Sequence, residues 1–83
     1  MNIILYTKTG CPWCKGVLDL FKEKNVKFEE RDVLTSKTFF DELISKSGQN
    51  KTPTMEIDGI IVASDSDKEA ITLILKDRGY AGF

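Results

Sequence analysis

Ile3-Ile4-Leu5-Tyr6-Thr7 leads through Lys8-Thr9-Gly10 into Cys11-Pro12-Trp13-Cys14, and this stretch decides how the rest of the chain is read. The first five residues form an apolar run rich in β-formers, with no polar alternation before Lys8 interrupts it. Such a run predicts a short strand buried on both faces. From Pro12 to about Lys24 the apolar positions are 14, 17, 18 and 21, one face of a helix, with Leu20 beside it. Pro12 suits the first helical turn, where its missing N–H costs no bond, and Asn25 can end the helix. A buried strand therefore hands two cysteines to the start of an amphipathic helix.

Outward from this unit the chain continues as short alternating elements, without repeat, linker or low-complexity tract. Val26-Lys27-Phe28-Glu29 alternates, predicting a second strand over about Lys27–Asp32. Ser36 or Thr35 can cap a second helix carrying Phe39, Phe40, Leu43 and Ile44 on one face, with Gly48 as its stop. Thr54–Ile57, Asp58-Gly59 and Ile60–Val62 read as a tight hairpin. Ser66-Asp67-Lys68-Glu69 has the spacing of a capping box before a helix with Ala70, Ile71, Ile74 and Leu75, stopped near Gly79. Tyr6 is expected to pack beneath the Cys11 loop, and Tyr80 and Phe83 to fold back on the sheet. The order is β-α-β-α-β-β-α. A right-handed βαβ crossover makes the first two strands parallel, and the hairpin adds two antiparallel ones. The expected class is α/β, a four-stranded mixed sheet flanked by three helices.

Eighty-three residues suffice for one small core, so residues 1–83 are expected to be one domain. Twelve basic against 13 acidic residues leave a net charge of −1, which offers no general attraction to nucleic acid or anionic lipid. With no histidine, Cys-His and Ser-His-Asp catalysis are excluded, as is a zinc site needing imidazole. Two cysteines in one chain cannot build a four-thiolate metal site. No apolar run approaches the roughly 18 residues of a membrane span. The first residues lack the basic start of a secretory signal. A cytoplasmic protein is expected, and there a cysteine pair is more often catalytic or metal-binding than a structural staple.

Four features favour a reactive sulfur at Cys11. A helix N-terminus presents free N–H groups and partial positive charge to a thiolate. Lys8 can add a full charge. Gly10 lets the loop turn without covering the sulfur. The i to i+3 spacing brings Cys14 within reach for a disulfide. Cys11 opens the helix, whereas Cys14 begins the buried stripe continued by Val17, Leu18 and Phe21. Cys11 is expected to attack, and Cys14 to resolve a mixed disulfide or stand by. The bland alternatives are two small core cysteines or half of a shared metal site.

The chain resembles the glutaredoxins, a branch of the thioredoxin-fold family, from Asn2 to about Asp77. The resemblance rests on Lys8-Thr9-Gly10-Cys11-Pro12-Trp13-Cys14, Thr52-Pro53-Thr54, Ile57-Asp58-Gly59 and Ser66-Asp67. It implies a thioredoxin-like fold of the dithiol type and a cis Pro53 beside the cysteines. It also implies glutathione as co-substrate, with no bound metal or prosthetic group. Thr52 would pair its backbone with the cysteinyl part of glutathione, and Trp13 would form an aromatic wall where the family usually has Tyr. Lys8 and Lys51 could meet carboxylates. The Ser66-Asp67 helix start would hold the γ-glutamyl end, its N–H groups on the carboxylate and Asp67 on the α-ammonium. Ala63-Ser64 stand where the family often has Gly-Gly, and their Cβ atoms are expected to crowd the ligand.

The expected function is a monomeric, glutathione-dependent oxidoreductase that reduces glutathione mixed disulfides and protein disulfides through Cys11 and Cys14. Its partners would be glutathione, disulfide-bearing or glutathionylated proteins and a reductase system. One alternative is a glutaredoxin-like electron donor recycled by thioredoxin reductase, for example toward ribonucleotide reductase. Another is an iron–sulfur carrier in which two chains share a cluster.

Overall fold

Strand β1, Ile3–Thr7, is buried at every residue in a computed structural model that describes residues 1–83. Its side chains divide between two apolar layers. Ile3 and Leu5 join Val17, Phe21, Met55, Ile57, Ile71 and Leu75, whereas Ile4 and Tyr6 join Val33 and Leu43. Alternate residues of a strand point to opposite faces, so a strand covered on both sides has no reason to alternate polar with apolar.

The elements follow in the expected order: α1 (Pro12–Glu23), β2 (Glu29–Asp32), α2 (Lys37–Ser47), β3 (Thr54–Ile57), β4 (Ile60–Ala63) and α3 (Lys68–Asp77). The sheet order is β2-β1-β3-β4, with β1 parallel to β2 and antiparallel to β3, and β3 antiparallel to β4. This is the thioredoxin-like arrangement. Helices α1 and α3 share one face and α2 covers the other. Leu5, Val17, Phe21, Met55, Ile71 and Leu75 are each 0% exposed, and each such side chain contributes roughly 1.5–3 kcal/mol of transfer free energy.

Local signals explain the boundaries. Asn25 has φ +54°, its N–H bonds Lys22 O, and Val26 N–H reaches back to Phe21 O. Those two bonds make the left-handed close that Asn tolerates, so α1 ends where Asn25 predicts. Ser36 Oγ accepts from Phe39 N–H at 3.3 Å and starts α2. Gly48, at φ +73°, stops it.

Four expectations are corrected. Pairing in β2 begins at Glu29 rather than near Lys27. Val26 and Phe28 serve the core before the ladder starts, Phe28 edge-on to Phe21 with ring centroids 4.9 Å apart. The cap of α3 is Asp67, whose Oδ1 accepts from Ala70 N–H at 3.0 Å; Ser66 Oγ instead donates to Ser64 O. Tyr6 packs under α2, its hydroxyl donating to Glu42 Oε1, and not beneath the Cys11 loop. Within α2, Leu43 is buried while Ile44 is 42% exposed, so the inward stripe is narrower than four residues. The tail does fold back: Tyr80 Oη accepts from Lys27 N–H, and Tyr80 and Phe83 pack on the α1–α3 layer.

Candidate active site

The parallel pair β1–β2 ends at Thr7 opposite Asp32, and the chain leaves the sheet there through Lys8-Thr9-Gly10. Gly10 has φ +86°, a conformation a side chain would strain, and Cys11 N–H then closes the turn on Lys8 O at 3.0 Å. Asp32 fastens the same loop to β2. Its carboxylate accepts from Thr9 Oγ1, from Thr9 N–H at 3.4 Å and from Leu34 N–H at 2.9 Å. Burial pushes the Asp32 carboxyl up, but the bonds from Thr9, Leu34 and Thr35 outweigh it and hold the group below its ordinary range. Asp32 was missed from sequence. The signal was available in the parallel register, which carries the end of β2 to the root of the cysteine loop.

Cys11 is itself the N-cap of α1, and its Sγ accepts from Cys14 N–H at 3.3 Å. No Ser, Thr, Asp or Asn stands at this cap, so the sulfur takes the place of a capping oxygen. Thr52 meets the same sulfur, with its Oγ1 and its O each 3.8 Å away. Desolvation raises the Cys11 thiol. Hydrogen bonds from the Cys14 side chain and backbone, Thr52 and the Trp13 backbone prevail, and the thiol is lowered. Its activation therefore comes from the helix start and Thr52. Lys8 does not figure among its causes.

Cys14 is 2% exposed. Burial first, then its hydrogen bond to Cys11, push its thiol up to about 11, against easing bonds from Thr52 and the Lys8 backbone. Two sulfurs one turn apart are thus shifted in opposite directions, the Cys11 thiol down and the Cys14 thiol up. Both are free thiols. The pair can hold one thiolate ready to attack a disulfide and one thiol that attacks only after losing its proton.

One cavity is lined by both cysteines and a second lies on the other side of Trp13. A space of about 540 Å³ is lined by Lys8, Thr9, Cys11, Cys14, Glu30 and Asp32 among others. A second, of about 240 Å³, lies between Trp13, Pro53, Asp65, Ser66 and Asp67. The Thr52–Pro53 peptide is cis. Thr52 N–H has no acceptor in the chain. Ser66 N–H, by contrast, is engaged by Pro53 O at 3.0 Å. The free donors at this helix start are those of Asp67, Lys68 and Glu69, and Asp67 Oδ2 has no partner in the chain.

The fold thus gathers Cys11, Cys14, Trp13, Thr52, Pro53, Ser66 and Asp67 at one end of the sheet. Lys8 lines the larger cavity and not the one beside Trp13. Lys51 is exposed and lines neither; its N–H bonds Gln49 Oε1 and its carbonyl accepts from Thr54. Asp65, which the sequence places on a solvated charged face, lines the smaller cavity at φ +51°. The expected crowding by Ala63-Ser64 is corrected. Ala63 is 6% exposed and packs in the core, and neither residue lines that cavity.

Fold and paired thiols together define a thiol–disulfide oxidoreductase of thioredoxin-like fold. A family model described as Glutaredoxin matches residues 3–62, and the chain belongs to the glutaredoxin family. It is 34% identical over 74 residues to an uncharacterised glutaredoxin-like 8.6 kDa protein in the rubredoxin operon of Clostridium pasteurianum, covering 89% of this chain and 99% of that one. It is 30% identical over 70 residues to glutaredoxin 3 of Escherichia coli K12, covering 84% of each. The crystal structure of a thioredoxin-like protein superposes with a TM-score of 0.75 at 34% identity, covering 88% of this chain and 99% of that one. No helix is long and apolar enough to cross a membrane.

Proposed function

We propose that residues 1–83 act as one monomeric, cytoplasmic dithiol glutaredoxin that reduces glutathione mixed disulfides and protein disulfides with glutathione as reductant. The observation that carries the glutathione part is the cavity lined by Trp13, Pro53, Ser66 and the Asp67 cap, next in the chain to Thr52, whose N–H is unpaired. In this site Thr52 would pair with the cysteinyl backbone, and the free N–H groups at the α3 start would take the γ-glutamyl carboxylate. Asp67 Oδ2 would accept from its α-ammonium. Pro53 and Trp13 would wall the ligand.

Cys11 thiolate attacks the glutathione sulfur of a mixed disulfide. The old S–S bond breaks, the partner leaves as a thiolate that takes a proton from water, and glutathione remains on Cys11. A second glutathione thiolate then attacks that glutathione sulfur, releasing glutathione disulfide and restoring the Cys11 thiolate. With a protein disulfide, Cys11 first becomes joined to the target. Cys14 then loses its proton and attacks Cys11 Sγ, which releases the reduced target and forms the Cys11–Cys14 disulfide. Two glutathiones reduce that bond. Cys14, protonated and buried, does not compete with glutathione in the first cycle.

The test is NADPH consumption with a glutathionylated substrate, comparing glutathione plus glutathione reductase with thioredoxin reductase alone. Turnover in the glutathione-coupled arm is expected. Turnover with thioredoxin reductase alone would replace glutathione as the reductant.

A further inference from the structure

Release of a protein target from Cys11 requires Cys14 to give up a proton, and Cys14 is buried. The one cavity that it lines is the larger, which it shares with Cys11, Lys15, Leu18, Glu30 and Asp32 among others. Glu30 reaches that space from β2. It stands opposite Leu5 in the parallel register, and Leu5 belongs to the α1–α3 layer. Phe28, Glu30 and Asp32 therefore alternate on the face that α1 covers. Phe28 packs on the core, and the next two positions toward the cysteine loop are carboxylates lining the cavity. A carboxylate on the inward face of a strand is costly against apolar packing; here it meets the space that also reaches Cys14.

The two carboxylates are not equivalent. Asp32 is committed to the loop by its bonds from Thr9 and Leu34. Burial raises its carboxyl, but those bonds outweigh burial and hold it below the ordinary range, so it is a poor base. Glu30 accepts a single bond, from Thr7 Oγ1 to Oε2 at 2.7 Å, and its Oε1 has no partner in the chain. Thr7 is buried at the end of β1, so this bond ties the Glu30 carboxylate to a fixed hydroxyl. No cation pairs with it: Arg31 bridges Glu29 and Glu42, Lys15 pairs with Asp19, and Lys8 makes no ion pair. The ammonium groups of Lys8 and Lys15, also at the cavity, only donate.

We propose that Glu30 is the proton acceptor for Cys14 in the step that releases the target. As Cys14 Sγ forms its bond to Cys11 Sγ, the bond between Cys11 and the target sulfur breaks, and its electron pair leaves on the target. The Cys14 proton passes to the Glu30 carboxylate across the cavity, which is large and polar enough for a bridging water. Glu30 is exposed on an edge strand, so it returns the proton to solvent, and the target thiolate takes another from water. The sulfur thus attacks without first standing as a bare charge in a buried place. This role rests on attack by Cys11 and resolution by Cys14, and not on glutathione as the reductant.

The chromogenic disulfide dithiobis(nitrobenzoate) separates the two steps, because each frees one coloured thiolate. Attack by Cys11 frees the first and leaves the second joined to Cys11; attack by Cys14 frees the second and closes the disulfide. Glu30→Gln keeps an acceptor for Thr7 and removes the base. It is expected to slow the second release by about ten- to a hundredfold at neutral pH while changing the first by less than about twofold. Between neutral and mildly alkaline pH the wild-type second release should stay nearly level. That of Glu30→Gln should climb about tenfold per pH unit, because only ionised Cys14 then reacts. Glu30→Asp, which retains a carboxylate, should recover part of the rate and the level profile. A second release in Glu30→Gln within about twofold of the wild type would overturn the role, as would equal slowing of both releases. A wild type that frees only the first thiolate would overturn the two-cysteine cycle together with this role.

Discussion

Cys14 N–H donates to Cys11 Sγ at 3.3 Å, so the second cysteine of the pair helps cap its own helix through the first. The bond joins local folding to chemistry. A thiolate accepts it more strongly than a thiol, and forming α1 therefore favours the charged state of Cys11.

The Cys14 side chain also donates to Cys11, and among the groups that lower the Cys11 thiol it acts most strongly. Cys14→Ala is expected to raise the Cys11 pKa. Cys14→Ser, which keeps a donor, should hold it nearer the wild-type value. The rate of iodoacetamide alkylation against pH measures this directly. Equal midpoints in the two variants would show that the backbone alone activates Cys11.

Asp67 caps α3 through Oδ1, leaves Oδ2 without a partner and lines the smaller cavity, so its cap and its proposed ligand contact can be separated. Asp67→Ala should lower stability by about 0.5–2 kcal/mol through loss of the cap and raise KM for glutathionylated substrates. Asp67→Ser should keep the cap and raise KM alone. The charged bond is worth roughly 1.5–3 kcal/mol before solvent screening, which sets a ceiling near a hundredfold in KM. Thermal melts with steady-state kinetics distinguish the two effects.

Ala63→Gly offers a test with the opposite sign from the sequence expectation. Removing a methyl from the core and adding a glycine to β4 should destabilise the fold by roughly 1–2 kcal/mol. KM for glutathionylated substrates should not fall, because Ala63 does not line the cavity. Denaturant titration and kinetics on one preparation check both statements.

Asp32→Ala should loosen the loop that carries Cys11 and slow its alkylation at neutral pH, with a stability loss of about 1 kcal/mol. Asp32→Asn keeps an acceptor for Thr9 and should recover much of both. A slow Asp32→Asn variant that melts like wild type would mean that the negative charge, not the tether, matters.

Much of this architecture was legible in the sequence because its signals are local. The unbroken run Ile3–Thr7, the Pro12 start, the Asn25 and Gly48 stops and the Asp58-Gly59 turn each act within a few residues. The unequal cysteines were legible too, since Cys14 lies on the helical stripe with Val17 and Phe21. Less legible were features that depend on tertiary neighbours. Ser66 and Asp67 are both good caps, and the bond from Ser66 N–H to Pro53 O moves the helix start to Asp67. The inward direction of Ala63 follows from β4 register next to an irregularity at Met55/Glu56, which no spacing rule gives. Asp32 became visible only once β2 lay beside β1.

The most direct test of the central claim is mass analysis of the Cys14→Ser protein after incubation with a glutathionylated substrate. One glutathionyl group is predicted, on Cys11, removed by excess glutathione and absent from Cys11→Ser under the same conditions. No adduct on Cys11, or an active Cys11→Ser protein, would contradict the assignment of Cys11 as the thiol that takes glutathione.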